Sequence, residues 1–125
     1  MTLFWRVCFF ACLTTVTVLS LVPAPPVPDV PVLIWDKFQH AVAYGVLTLC
    51  AGRAFTFSAG TRGGRWTAAA LLALLIGGLM EGAQEAFTVS RSAEWGDFLA
   101  DGIGAVFAWG VGVTVKPGIR NARGG

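Results

Sequence analysis

The chain alternates long apolar stretches with short polar interruptions. Leu3 to Val22 is apolar apart from Arg6 near its start and scattered hydroxyls. It runs into Pro23-Ala24-Pro25-Pro26-Val27-Pro28, which cannot continue a helix. A second stretch covers 38–57, with His40 and Tyr44 in its first turns and Arg53 near its end. A third covers 66–87, apolar from Trp66 to Met80 before it meets Glu81, Gln84 and Glu85. A fourth covers 93–115, carries Asp97 and Asp101 early, and closes at Lys116-Pro117-Gly118. Each approaches the roughly 20 residues that a helix needs to cross a bilayer. The pattern predicts an all-α protein, a bundle of four transmembrane helices over about 3–22, 38–57, 66–87 and 93–115, in one membrane domain spanning 1–125. The first stretch exceeds the roughly 7–15 apolar residues of a cleaved signal peptide, and no A-x-A site follows it, so it is expected to be a retained span.

Composition agrees. Of 125 residues, 55% are apolar and only 13% charged, against about 25% charged in soluble domains. Such a chain lacks the polar side chains to cover a water-soluble globule. A net charge of +2 gives no footing for nucleic acid, and no nucleic-acid partner is expected. Cys8, Cys12 and Cys50 all fall inside apolar runs. An odd count there argues against a disulfide framework and suits small apolar fillers.

Charge placement sets the expected orientation. With four crossings, Arg6, Arg53, Arg62, Arg65, Lys116, Arg120 and Arg123 share one side, and Lys37 and Arg91 the other. The positive-inside rule then puts both termini in the cytoplasm. All seven acidic residues (Asp29, Asp36, Glu81, Glu85, Glu94, Asp97 and Asp101) fall near the outer side. Glu81 lies fifteen residues beyond Trp66, roughly 22 Å along a helix, in the outer part of a core about 30 Å thick.

Spacing gathers these groups. Glu81, Gln84 and Glu85 stand at i, i+3 and i+4 on one helical face; Asp36, His40 and Tyr44 form an i, i+4 stripe; Asp97 and Asp101 form another. Ionisable groups at such depth face one another or water rather than lipid. The expected binding set is therefore Asp36, Lys37, His40, Tyr44, Glu81, Gln84, Glu85, Arg91, Asp97 and Asp101. Arg91 is expected either to bind a phosphate or to pair with Asp97 or Glu85. A divalent ion among Glu81, Glu85, Asp97, Asp101 and His40 is chemically allowable. The spacing matches no recognised metal motif, and no metal or cofactor is expected.

These elements in order, Asp36-Lys37-x-x-His40, Glu81-x-x-Gln84, Arg91-Ser92 and Asp97-x-x-Ala100-Asp101-x-x-Gly104, resemble the VanZ-like membrane proteins over about Trp35 to Gly112. Asp101 stands where many members carry Asn. The resemblance implies a small four-helix, multi-pass protein of the bacterial inner (plasma) membrane and a link to glycopeptide (teicoplanin-type) susceptibility, without naming a reaction.

Two functional expectations follow, with one structural alternative. In the first, the outer polar cluster recognises a membrane lipid or lipid-linked envelope precursor, its phosphate on Arg91 and Lys37. In the second, the chain is a membrane enzyme with His40 as general acid–base, oriented by Asp36 and partnered by Glu81. Ser90 and Ser92 suit loop and helix-cap roles better than that of a nucleophile. The structural alternative is a polar cluster that only pins the helices together. A through-pore is not expected, because nothing ionisable lies between Trp66 and Met80 or between Gly102 and Val115. Gly78-x-x-x-Gly82, and Ala100, Gly104, Ala108 and Gly112, are expected to let helices approach closely within the chain, and secondarily between copies in a homo-oligomer. Trp5, Trp35 and Trp66 are expected in interfacial belts, with Trp95 at the outer belt and Trp109 in the inner half.

Overall fold

The computed structural model describes residues 1–22, 32–57, 60–89 and 93–116. It contains four helices in chain order: α1 (Thr2–Leu21), α2 (Val32–Ala54), α3 (Arg62–Phe87) and α4 (Trp95–Thr114). The all-α expectation holds. Three helices, α1, α3 and α4, are long and apolar enough to cross a membrane, rather than the four anticipated. α2 has the length, but Asp36, Lys37, Gln39 and His40 crowd its first turns and Arg53 its last.

The element boundaries also shift. α2 starts six residues before the expected position and ends three earlier, which puts Asp36 and Lys37 inside the helix. α3 starts four residues early because the Thr61 hydroxyl accepts the Gly64 N–H at 3.0 Å and caps it. Arg62 and Arg65 therefore belong to its first turn, not to a loop. The Arg62 guanidinium donates to the Gly112 and Val115 carbonyls. It thus satisfies acceptors that the end of α4 would otherwise leave bare.

Successive helices run antiparallel. Arg6 Nε reaches the Ala54 carbonyl at 3.4 Å and Trp109 Nε1 donates to Thr67 Oγ1 at 3.1 Å. α2 and α4 run parallel and share the most extensive contact, whereas α1 and α4 take opposite corners. Among the described residues, Arg6, Arg53, Arg62, Arg65 and Lys116 consequently gather at one end, and Asp36, Glu81, Glu85, Glu94, Asp97 and Asp101 with Lys37 and His40 at the other. α2 lies against all three other helices. That shelter is why α2 can keep His40, Tyr44 and Thr48 on its inner side while Phe38, Val42 and Val46 face outward.

Burial is inverted relative to a water-soluble bundle. Leu71, Leu75 and Leu79 on α3, and Leu99, Ile103, Val106 and Phe107 on α4, point outward, Phe107 being 75% exposed. The interior holds Ala69, Ala70, Ala73, Ala100, Ala105 and Ala108, with Asp101 fully buried. Large apolar faces of this extent are not left in water by soluble monomers, whereas small residues inside and bulky ones outside are how helices pack in lipid. The chain has the architecture of a membrane protein.

Glycines set the closest approaches. A Cβ on Gly104 would lie 2.8 Å from the Ala41 carbonyl carbon and closer still to its oxygen, and one on Gly45 would lie 3.3 Å from the Gly104 oxygen. α2 and α4 therefore touch backbone to backbone here. At the basic end, the Trp66 ring fills a slot between Gly52 and Gly112.

Two expectations need correction on this point. Trp66 is 1% exposed and belongs to the core, not to an interfacial belt, because those two glycines leave room for its ring. Gly78 and Gly82 do not form a close contact: Gly78 has only the edge of Phe98 at 3.8 Å, and Gly82 has nothing within 4 Å. The close approach on α3 falls one residue earlier, at Gly77. The α4 stripe of Ala100, Gly104, Ala108 and Gly112 is buried as anticipated. Trp95 and Trp109 are both exposed, and Trp109 Nε1 bonds to Thr67 Oγ1. The Trp35 side chain lies outside the described residues.

Candidate functional site: a buried polar cluster at the acidic end

The backbone contact at Gly104 and Ala41 carries His40 of α2 against Asp101 of α4. His40 Nδ1 and Asp101 Oδ1 are 2.8 Å apart. His40 Nε2 lies 3.9 Å from Asp97 Oδ2, one turn away on the same face of α4. Asp97 Oδ1 accepts from Lys37 Nζ at 3.0 Å, and Lys37 also reaches Glu94 at 3.4 Å. The result is a continuous chain, Glu94–Lys37–Asp97–His40–Asp101, that descends from the half-exposed surface into the bundle. Lys37 sets a positive charge between Glu94 and Asp97, and the His40 ring lies between Asp97 and Asp101, which reduces the penalty of placing carboxylates at depth.

Asp101 is the innermost member. Its Oδ2 is buried and has no hydrogen-bond partner among the described residues. It faces α3 at Gly77, where an added Cβ would lie 2.8 Å from it. The absent side chain at Gly77 is what leaves room for the carboxylate. Tyr44 seals the floor: it is 2% exposed, and its ring lies parallel to that of His40 at 6.3 Å.

α3 contributes carboxylates that anchor the start of α4. Glu81 Oε2 accepts the Glu94 N–H at 3.0 Å and Glu85 Oε2 accepts the Ala93 N–H at 3.0 Å. Both are N–H groups at or just before the helix end, where negative charge is favoured. Glu81 is buried and Glu85 exposed, so only Glu81 borders the interior cluster. Gln84 serves another junction: its Nε2 donates to the Ser20 carbonyl at 3.1 Å and ties α3 to the end of α1.

Two open clefts flank the cluster. One, of about 240 Å³ between α1 and α2, is lined by Val16, Leu19, Ser20, Asp36, Gln39, His40, Ala43 and Tyr44. The other, of about 370 Å³ between α3 and α4, is lined by Gly78, Glu81, Ala93, Glu94, Trp95 and Phe98. Each lining mixes polar groups with apolar side chains. His40 opens to the first cleft and Glu81 to the second.

Sequence spacing thus anticipated His40, Tyr44, Glu81, Asp97, Asp101 and Lys37 as neighbours, and the structure brings them together. Asp36 lines the first cleft, but the group that holds the His40 ring is Asp101, across the α2–α4 contact. Gln84 and Glu85 act at helix junctions. Arg91, with Ser90 and Ser92, lies outside the described residues, as do Asp29, Arg120 and Arg123. Glu94 was not among the expected site residues, yet it joins the chain through Lys37. Its place among the acids near the outer side was the available signal. Ser20 and Gly77 likewise matter through tertiary contacts that no local pattern marks. Comparisons with protein-family models, with curated proteins and with solved structures give no match to this chain.

Proposed function

We propose that this protein is a VanZ-like, multi-pass protein of the bacterial plasma membrane that recognises the headgroup of an envelope lipid or lipid-linked precursor in the outer leaflet, and through it influences susceptibility to glycopeptide-type antibiotics. The observation that carries this reading is the cleft between α1 and α2, where Asp36, Gln39 and His40 of α2 face Val16 and Leu19 of α1. Its volume of about 240 Å³ falls below the roughly 300–1,000 Å³ of pockets that enclose a whole drug-sized ligand. It suits a headgroup whose tails remain outside, against the exposed apolar faces of α1 and α2. In this reading α2 is the fourth crossing, its polar turns covered by its neighbours. The basic end faces the cytoplasm together with both termini, as the positive-inside rule requires.

The charge balance refines the headgroup chemistry. Among the described residues, Asp36, Glu81, Glu85, Glu94, Asp97 and Asp101 face Lys37 and His40, and Lys37 is already shared by two carboxylates. The cluster therefore favours hydroxyl, amine or cation-bridged groups over a bare phosphate. A second reading, a membrane enzyme acting on such a lipid, draws on the His40–Asp101 pair, since a carboxylate-held imidazole is the usual form of a general base.

Native mass spectrometry of the detergent-solubilised protein tests the binding reading. A co-purifying envelope amphiphile on the wild type, lost in a folded His40→Ala variant, is expected. Wild-type protein that carries no amphiphile from native membranes would overturn it. A change in the cellular lipid profile that disappears with His40→Ala would favour the enzyme.

A further inference from the structure

We propose that His40, Glu81 and Asp101 form a binding site for one divalent cation of the manganese–zinc class, a reading that stands independently of the lipid proposal. One ligand atom from each residue lies within 4.8 Å of the other two. The residues come from α2, α3 and α4, so the ion would join three helices at the acidic end.

Asp101 Oδ2 is the independent pointer. It is buried, without a partner among the described residues, and directed at the Gly77–Glu81 face of α3. A carboxylate oxygen bare at this depth leaves a large desolvation penalty unanswered. A cation answers it directly. The charge sum also closes: two carboxylates, a neutral imidazole and a doubly charged ion are together neutral, the state that a low-dielectric interior favours.

The donor set selects the ion class. Imidazole with two carboxylates suits divalent manganese, iron or zinc better than calcium or magnesium, which take all-oxygen shells. The geometry is nearly assembled. His40 Nδ1 and Asp101 Oδ1 are held together by a hydrogen bond of 2.8 Å, which an ion taking the ring nitrogen would replace, while the bare Asp101 Oδ2 supplies the carboxylate ligand. Glu81 keeps one oxygen on the Glu94 N–H and can turn the other to the ion, so that backbone contact becomes the outer support of a ligand. The alternative grouping of Asp36, His40 and Asp97 is less suited, because Lys37 sits 3.0 Å from Asp97 and repels a cation there.

The test uses full-length, tag-free protein in detergent, stripped with chelator, then dialysed against Mn²⁺ or Zn²⁺ and assayed for bound metal. One ion per chain is expected from at least one of the two metals. Folded wild type that retains neither metal overturns the proposal whatever the variants do. Asp101→Asn and Glu81→Gln should each weaken binding at least tenfold, since loss of even an outer-shell partner costs about 10–100-fold, whereas Glu94→Gln should leave affinity within about threefold. Equal weakening by Glu94→Gln and Asp101→Asn would indicate diffuse attraction to an acidic surface and overturn it. His40 is the single histidine of the chain. A histidine nitrogen coupling in the pulsed EPR spectrum of bound Mn²⁺ therefore identifies it, and bound Mn²⁺ without that coupling refutes the assignment.

Discussion

Gly104→Ala probes the contact on which the polar cluster depends. The added methyl would lie 2.8 Å from the Ala41 carbonyl carbon and 3.0 Å from its Cα, against about 3.5–4.0 Å for a comfortable carbon contact. The obstacle is backbone, with the Ala41 carbonyl oxygen nearest of all, so rotamer changes cannot relieve it, and α2 and α4 must separate by more than about 1 Å. His40 and Asp101 sit beside this point, and a shift of that size takes their 2.8 Å contact beyond hydrogen-bond range. Overpacking of this kind costs about 1–3 kcal/mol, and loss of an interhelical polar contact in a membrane adds about 0.6–1.7 kcal/mol. The sum is about 2–5 kcal/mol. Gly110→Ala is the matched control, because nothing lies within 4 Å of its Cβ position. Unfolding by SDS in mixed micelles should show Gly104→Ala markedly destabilised and Gly110→Ala near wild type. Coincident midpoints for the two variants would refute the claim that this backbone contact holds the cluster together.

Further tests address the two ends of the bundle. Gly112→Ala places a methyl inside the Trp66 ring and should destabilise by about 1–3 kcal/mol, with a red-shifted tryptophan emission as the ring leaves its slot; an unshifted spectrum and unchanged stability would argue against that slot. Gln84→Leu removes the bond to the Ser20 carbonyl and should loosen α1 by about 0.6–1.7 kcal/mol. The readout is faster alkylation of Cys12, whose thiol lies 3.8 Å from the Ala43 carbonyl; an unchanged rate would mean that α1 is held elsewhere. For orientation, a fluorescent-protein fusion at the C-terminus should fold and fluoresce, while an alkaline phosphatase fusion there should be inactive. An active phosphatase would reverse the assigned topology.

The errors in reading the chain have one physical source. Apolar run length marks where helices lie, but a helix in lipid meets apolar surroundings on every side, so hydrophobicity does not say which face turns inward. The close-approach glycine on α3 was accordingly sought at Gly78 and lies at Gly77. Trp66 was assigned to the interface by its place at the start of an apolar run, yet Gly52 and Gly112, distant in sequence, open a slot for it. The N-terminal boundary of α2 differs for a related reason. Asp36 and Lys37 fall outside the apolar run that marks the span, and the helix extends past them because neighbouring helices cover their turn.

The sequence alone determined the helical class, the existence of four helices, the separation of basic from acidic residues and most members of the polar cluster. These follow from local properties: the length of apolar runs, the 3.6-residue period and the positions of prolines and charges. Only the tertiary structure decided that Asp101 rather than Asp36 holds His40, that Gln84 ties α3 to α1, and that one oxygen of Asp101 is left bare opposite Gly77. Those outcomes depend on how closely helix backbones approach, as α2 and α4 do at Gly104, a matter of shape between helices that no single stretch of chain encodes.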